Sequence, residues 1–274
     1  MRSGLEDLPE PAELHARLSA RRPLDWGDPI PSKAEIAAQY GADAARKSLT
    51  LLAQVAVVEQ SITDEFLAAA GSEVVAHQVE SRVKSPQSLA RKLKNLSRSA
   101  FDETPLDDAL RYTLVTRSPD ELVPAAEHAC DELTRRGWKL GGAIQSYADG
   151  SRYKGLHLLL QRQGQRIEVQ IHSRESIDVK HRTTPLYAVE RDRGQPQDKR
   201  SAARQAAIAL SAQMSHPAGI DELRTLGGVQ VEVRVYGKQN ARPIQRGEPS
   251  SAPQAEGAAP KLSTESQRKD GLSR

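Results

Sequence analysis

The stretch Tyr153–Ser173, YKGLHLLLQRQGQRIEVQIHS, decides the fold. LHLLLQ (156–161) is an apolar run of strand length, Gln163-Gly164-Gln165 has turn chemistry, and RIEVQIH (166–172) alternates strictly between polar and apolar residues. The pattern predicts a β-hairpin. Side chains alternate across a strand, so Ile167, Val169 and Ile171 share one face while Arg166, Glu168, Gln170 and His172 share the other. A polar face holding an acid, an amide and a base is either solvated or a site.

Outward from the hairpin, strands and helices alternate. ALRYTLVT (109–116) reads as a buried strand, Ser118 caps a helix over 119–136 that Gly137 ends, and WKLGGAIQSY (138–147) is a second strand. Downstream, Ser173 opens a helix to about residue 191, another follows over 199–215, and VQVEVRVY (229–236) alternates as an edge strand. Upstream, helices are predicted over 43–59 and from Thr63 to Gly71, and Ser32 with Glu35 makes a capping-box pair. RVKSPQSLARKLKN (82–95) leads into a basic helix with Pro86 in its first turn. The expected organisation is a flexible segment at 1–31, a helical extension at 32–73, an α/β domain at 74–217, an edge strand within 218–236 and a disordered tail at 237–274. The fold class is α/β (α+β), a mixed, mostly antiparallel sheet of five strands flanked by helices.

Composition narrows the classes. The 274 residues are 38% hydrophobic but only 4% aromatic, with a mean hydropathy of −0.60, which suits a globular centre diluted by polar segments. A net charge of +3 is compatible with polyphosphate or nucleic-acid ligands without requiring them. The single cysteine, Cys130, excludes an internal disulfide framework and a thiolate metal cluster. No apolar run has the length of a membrane span and the N-terminus has no basic-then-apolar signal, so the expectation is a cytoplasmic protein with no membrane partner.

Three constellations carry chemistry. Arg82, Lys84, Ser88 and Lys92 converge where a strand enters a helix, a setting that favours anions; the plain alternative is a solvated basic face. Asp108 heads a predicted strand with Arg111 three residues on, and Glu168 lies on another strand. Magnesium takes hard oxygen ligands, commonly one or two carboxylates plus substrate phosphates, so Asp108 and Glu168 are candidate ligands, with Asp107 as the rival. Tyr153 and His157 precede Glu168, Gln170 and His172; a tyrosine in a glycine-flanked loop either stacks on a base or packs in the core. No GxxxxGK[ST], GxSxG or GxGxxG motif is present, and no spacing suits zinc.

In order, RVKSPQSLARK (82–92), DALRYT (108–113), YKGLH (153–157) and IEVQIHS (167–173) resemble the motif series of the RelA/SpoT nucleotide synthetase domain, over roughly residues 75–192. The resemblance implies a nucleotidyltransferase-type fold and transfer of pyrophosphate from ATP to the ribose 3′-hydroxyl of a guanine nucleotide, giving (p)ppGpp and AMP. By position it implies ATP binding by Arg82, Lys84, Ser88 and Lys92. Asp108 and Glu168 would hold Mg²⁺ and be catalytic, with Glu168 also helping to deprotonate the hydroxyl. Tyr153 would stack on the acceptor base, beside His157 and Gln170, with Arg111, Lys154, His172 and Lys180 as further site positions.

Departures mark a divergent branch. Ser151-Arg152 and Lys154-Gly155 replace the Asn-Gly and Gln-Ser that usually flank the tyrosine, and His172 replaces an arginine. Arg111 stands where the family commonly has glycine, and Lys180, His181 and Tyr187 occupy the helix that elsewhere carries Ala-His-Trp. No hydrolase-type domain precedes the series. The departures resemble the single-domain branch, which includes toxic members that use adenine nucleotides or the 3′ end of tRNA as acceptor. Two other readings are a catalytically inactive nucleotide- or RNA-binding module, and a toxin whose helical flanks bind an antitoxin, a delivery partner or a second copy of the chain.

Overall fold

A computed structural model describes residues 4–96 and 106–237; the predicted tail lies almost wholly outside the described residues. The order is α1 (Pro11–Ser19), α2 (Lys33–Tyr40), α3 (Ala42–Ala69), β1 (Val75–Ala76), α4 (Pro86–Leu96), β2 (Leu110–Thr116), α5 (Leu122–Arg135), β3 (Lys139–Gln145), β4 (Leu156–Arg162), β5 (Gln165–Ser173), α6 (Arg174–Arg191), α7 (Gln197–Ala212), β6 (Thr225–Leu226) and β7 (Val229–Val233). The hairpin is β4–β5. Its turn is tighter than the three residues expected, because Arg162 pairs with Gln165 and only Gln163 and Gly164 lie between. Both have positive φ, +48° and +75°, the backbone that matches a two-residue turn to the twist of its strands.

The sheet has seven strands in the order β1-β2-β5-β4-β3-β7-β6, not five. Two-residue strands at each edge account for the difference. The β2–β5 and β3–β7 pairings are parallel and the other four antiparallel, so the sheet is mixed and mostly antiparallel. β7 is not the edge strand its alternation suggested, since β6 covers it.

Alternation sorts the two faces. Leu110, Tyr112, Leu114, Ile167, Val169, Ile171, Leu158 and Leu160 are buried with Leu122, Ala126, Ala129 and Leu133 of α5 and with α3, whose Phe66 ring stacks on Tyr112 at 4.2 Å. The other face carries Arg111, Thr113, Glu168, Gln170 and His157, with α6 packed over part of it.

Two expectations fail upstream. The span expected to hold two helices forms one 28-residue helix, Ala42–Ala69. Thr63 resembles a helix cap, but its hydroxyl bonds the Glu59 carboxylate (2.6 Å) one turn back and lies 2.8 Å from the Tyr112 hydroxyl, so the helix runs through. The segment at 1–31 is not a loose leader over its described part. Leu14, Leu18 and Leu24 are core residues, and the described residues all fall within one compact unit. Among the described residues no helix is long and apolar enough to cross a membrane.

Candidate active site

The segment from Arg82 to Lys84 runs antiparallel to the start of β2: Val83 bridges Leu110, Lys84 N–H donates to the Ala109 carbonyl (3.0 Å) and Arg111 N–H to the Arg82 carbonyl (2.8 Å). Lys84 is thereby set beside Asp108, and its ammonium bonds Asp108 Oδ2. From the second turn of α4, Lys92 reaches Asp108 Oδ1 at 2.6 Å. Burial on its own would raise the Asp108 carboxyl, but the two ammonium groups outweigh it and hold the acid below the usual carboxylate range. Burial pulls Lys84 the other way, below an ordinary lysine, in spite of its partner. Lys84, Ser88, Asp108 and Arg111 line one open cavity of about 310 Å³, together with Trp26 from the chain before α2.

Arg111 joins this cavity to the polar face of the hairpin. In the parallel β2–β5 register Arg111 is opposite Glu168. Its guanidinium makes no hydrogen bond among the described residues, and its charge acts on Glu168, His172 and Lys180. Glu168 is 13% exposed and bonds His157 Nδ1 at 2.7 Å. Burial would raise its carboxyl, yet the His157 contact, with Arg111 behind it, leaves it lowered; the Asp108 charge opposes them. The two acids therefore feel one another across the Arg111 position.

From Glu168 a chain of hydrogen bonds runs inward. His157 Nε2 meets the Tyr153 hydroxyl at 3.0 Å, that hydroxyl meets His172 Nε2 at 2.8 Å, and His172 Nδ1 meets Ser176 Oγ at 2.9 Å. Its polarity follows from one end. Ser176 Oγ donates to the Ser173 carbonyl, so it accepts from His172 Nδ1–H. His172 Nε2 then accepts from Tyr153 O–H, which accepts from His157 Nε2–H, leaving a proton shared between His157 Nδ1 and Glu168. Burial, with Lys180 and other cations next, keeps His172 well below an ordinary histidine and hence neutral, as the chain requires. Burial likewise lifts the Tyr153 hydroxyl well above the usual range.

Gly155 is where the rings leave no room. A Cβ there would stand 2.8 Å from His172 Cε1, 3.0 Å from the Tyr153 hydroxyl and 3.2 Å from His157 Nε2. Gly155→Ala is expected to break the chain and, for the transfer that the sequence series implies, to lower turnover while leaving ATP affinity unchanged, since Lys84 and Lys92 lie outside it. Calorimetric titration alongside a rate assay checks this, and an unaltered rate would remove the chain from the chemistry.

The expected residues do not all arrive where the sequence placed them. Lys84, Ser88, Lys92, Asp108 and Arg111 are together, as are Glu168, His157, Gln170, His172 and Tyr153. Gln170 Oε1 accepts from Lys180 at 3.0 Å; burial, then the Arg111 charge, brings that lysine down to about 8. Lys154 is 8% exposed and forms no ion pair among the described residues. Asp107, the rival ligand, is paired with Arg166 of β5.

Arg82 requires a correction. It is 1% exposed and all its donors are used within the protein: Nε to Glu59 (2.5 Å), Nη1 to the carbonyls of Pro23 (2.7 Å) and Val79 (3.1 Å), Nη2 to those of Leu18 (2.9 Å) and Arg22 (3.4 Å). Five donors are met by five acceptors, so none is left for ATP. Tyr153 is corrected in part: its hydroxyl is tied to two histidines and its ring meets Tyr236 edge-on at 5.6 Å, so it is no free platform. Sequence reasoning missed Trp26 and Ser176. No motif marks Trp26; Ser176, three residues after the Ser173 cap, had only its capping position as a signal.

No protein-family model and no curated protein sequence matches the chain. Among solved structures, small alarmone synthetase 1 from Bacillus subtilis, bound to its product pppGpp, is 15% identical at a TM-score of 0.34, over 65% of this chain and 90% of that one. A GTP pyrophosphokinase family protein from Streptococcus pneumoniae is 16% identical at 0.35, over 70% and 92%. Small alarmone synthetase 2 from Bacillus subtilis is 16% identical at 0.32, over 66% and 97%. Superpositions this loose transfer no residue roles. In the order of its sequence blocks the chain is similar to the RelA/SpoT-type synthetase domain, and over about two thirds of its length it aligns with small alarmone synthetases and a GTP pyrophosphokinase family protein.

Proposed function

We propose that the chain is a Mg²⁺-dependent pyrophosphokinase that moves the β,γ-diphosphate of ATP to the 3′-hydroxyl of a guanine nucleotide and releases AMP. The observation that carries this reading is the placement of Asp108, between two lysines, and Glu168, on the neighbouring parallel strand, with Arg111 between them. Diphosphoryl transfer asks for alignment and charge neutralisation more than for covalent chemistry. Lys84, Lys92 and Ser88 supply donors for a polyphosphate, and the unbonded Arg111 guanidinium faces the same cavity.

The acids suit magnesium. They offer hard oxygens, and Glu168 Oε2 makes no hydrogen bond among the described residues. A two-carboxylate site of this kind is completed by water and substrate phosphates. Bound there, the ion would neutralise charge on the transferring group. The protein's own part is to hold the donor on Lys84 and Lys92 and to orient the acceptor beside Glu168, whose contact with His157 the Tyr153–His172–Ser176 chain fixes.

The test is incubation with β- or γ-labelled ATP and, in turn, GDP, GTP, ATP or tRNA, followed by chromatography for AMP and a pyrophosphorylated product. GDP or GTP is expected to accept. Product with adenine nucleotide or tRNA alone would replace the acceptor while keeping the reaction class. Glu168→Gln is expected to abolish turnover, and undiminished turnover would show the carboxylate assignment to be wrong. A second reading, a nucleotide-binding module without catalysis, draws on the fact that both acids are already paired with basic side chains. Tight ATP binding with no AMP release under any acceptor would establish it.

A further inference from the structure

Trp26 belongs to none of the sequence blocks, yet it lines the cavity that holds Lys84, Ser88, Asp108 and Arg111. Its position is built. The Pro23 carbonyl accepts from Arg82 Nη1 (2.7 Å), Asp25 N–H donates to the Glu80 carbonyl (2.7 Å), and the indole N–H donates to the Val83 carbonyl (2.9 Å), one residue from Lys84. Gly27 turns the chain away at φ +77°, its N–H on Asp25 Oδ1 (2.9 Å). One flank of the indole meets the His15 ring at 5.4 Å. The ring is partly exposed, and its polar edge is already satisfied.

An indole so held offers a π-surface rather than a hydrogen bond. Beside it in the cavity are the Lys84 ammonium and the Ser88 hydroxyl, which suit phosphates, and the Arg111 guanidinium, unbonded among the described residues, which also stacks on planar rings. The cavity, about 310 Å³, is at the small end of ligand sites. We propose that Trp26 is the stacking platform for the nucleobase of the triphosphate donor, and that the segment before α2 is therefore part of the nucleotide site. This rests on the donor-site reading above. Because every base has a π-face, the platform should strengthen binding of nucleotides in general without choosing among bases.

The experiment compares dissociation constants for ATP, GTP and inorganic tripolyphosphate, by calorimetry on the full chain with Mg²⁺ present, for the wild type, Trp26→Leu and Trp26→Phe. Trp26→Leu is expected to weaken both nucleotides roughly tenfold and leave tripolyphosphate unchanged, while Trp26→Phe stays within about threefold of wild type. Unchanged tripolyphosphate binding also shows that the variant is folded. If tripolyphosphate weakens as much as ATP, Trp26 acts only by holding Val83 and Lys84, and the stacking role is overturned while the donor site stands. Three unchanged constants overturn it in the same way. If wild-type protein binds neither ATP nor tripolyphosphate, the donor-site reading fails and takes the platform with it. A Trp138→Phe background leaves Trp26 as the only tryptophan, since the chain has two, and its fluorescence should then be quenched by ATP and not by tripolyphosphate.

Discussion

Under the proposed function, Asp108→Ala is expected to lower turnover at least about a thousandfold, because loss of the carboxylate proposed to hold the metal would remove several kcal/mol of transition-state stabilisation. Affinity should move the other way. Both Asp108 oxygens are taken by Lys84 and Lys92, so the carboxylate competes with an incoming phosphate for the same ammonium groups. With Mg²⁺ chelated by EDTA, Asp108→Ala should bind ATP more tightly than the wild type. A rate assay and calorimetry on one preparation read both effects. Turnover within tenfold of wild type would remove Asp108 from catalysis, and weaker binding in EDTA would show that the lysines need the acid to hold them in place. On that reading the chain's own ion pairs would be a resting arrangement that a bound donor exchanges for its own.

Arg82→Ala should destabilise the fold rather than impair ATP binding alone. The pair with Glu59 is buried on both sides, at 1% exposure each. Glu59 Oε2 already lacks a partner, so deleting the arginine would leave a buried carboxylate with no counter-charge and only the Thr63 hydroxyl bonded to it. Breaking a pair of this kind costs about 3–5 kcal/mol, whereas replacing both partners by apolar side chains of similar volume is often neutral or better. Urea denaturation of Arg82→Ala is therefore expected to show a loss of that size, with most of it restored in the Glu59→Met/Arg82→Met double variant. An Arg82→Ala protein of wild-type stability that has lost ATP affinity would return this guanidinium to the donor site. The carbonyls of Leu18, Arg22 and Pro23 also depend on Arg82, so the loop that carries Trp26 should loosen with it.

What could be read directly was local. Period-two alternation over Arg166–His172 separated a core face from a polar face, and those faces are the ones the sheet has. Caps and breakers at Ser32, Ser118, Gly137 and Ser173 marked helix ends close to their observed places, because capping acts within one turn. At Thr63, where a second helix was expected to begin, the hydroxyl is answered by Glu59 on its own helix and by Tyr112 on β2, 49 residues away.

The block around Arg82 shows the boundary. Its pattern put a guanidinium and two ammonium groups near a strand-to-helix junction, and all three are there, but their partners are chosen by distant chain. Lys84 and Lys92 found an acid 24 and 16 residues on, Lys84 beside an open cavity; Arg82 found one 23 residues back and was buried. By itself the sequence determined the alternation of the hairpin, the helix ends and the inventory of acids, bases and amides on the polar face, since each depends on neighbours within a few residues. The tertiary structure alone decided that β2 lies parallel to β5, bringing Arg111 opposite Glu168, that Arg82 belongs to the core, and that Trp26 reaches the cavity. Those depend on hydrogen bonds and burial between segments tens of residues apart, whose entropic cost of closure is met only when the whole core forms.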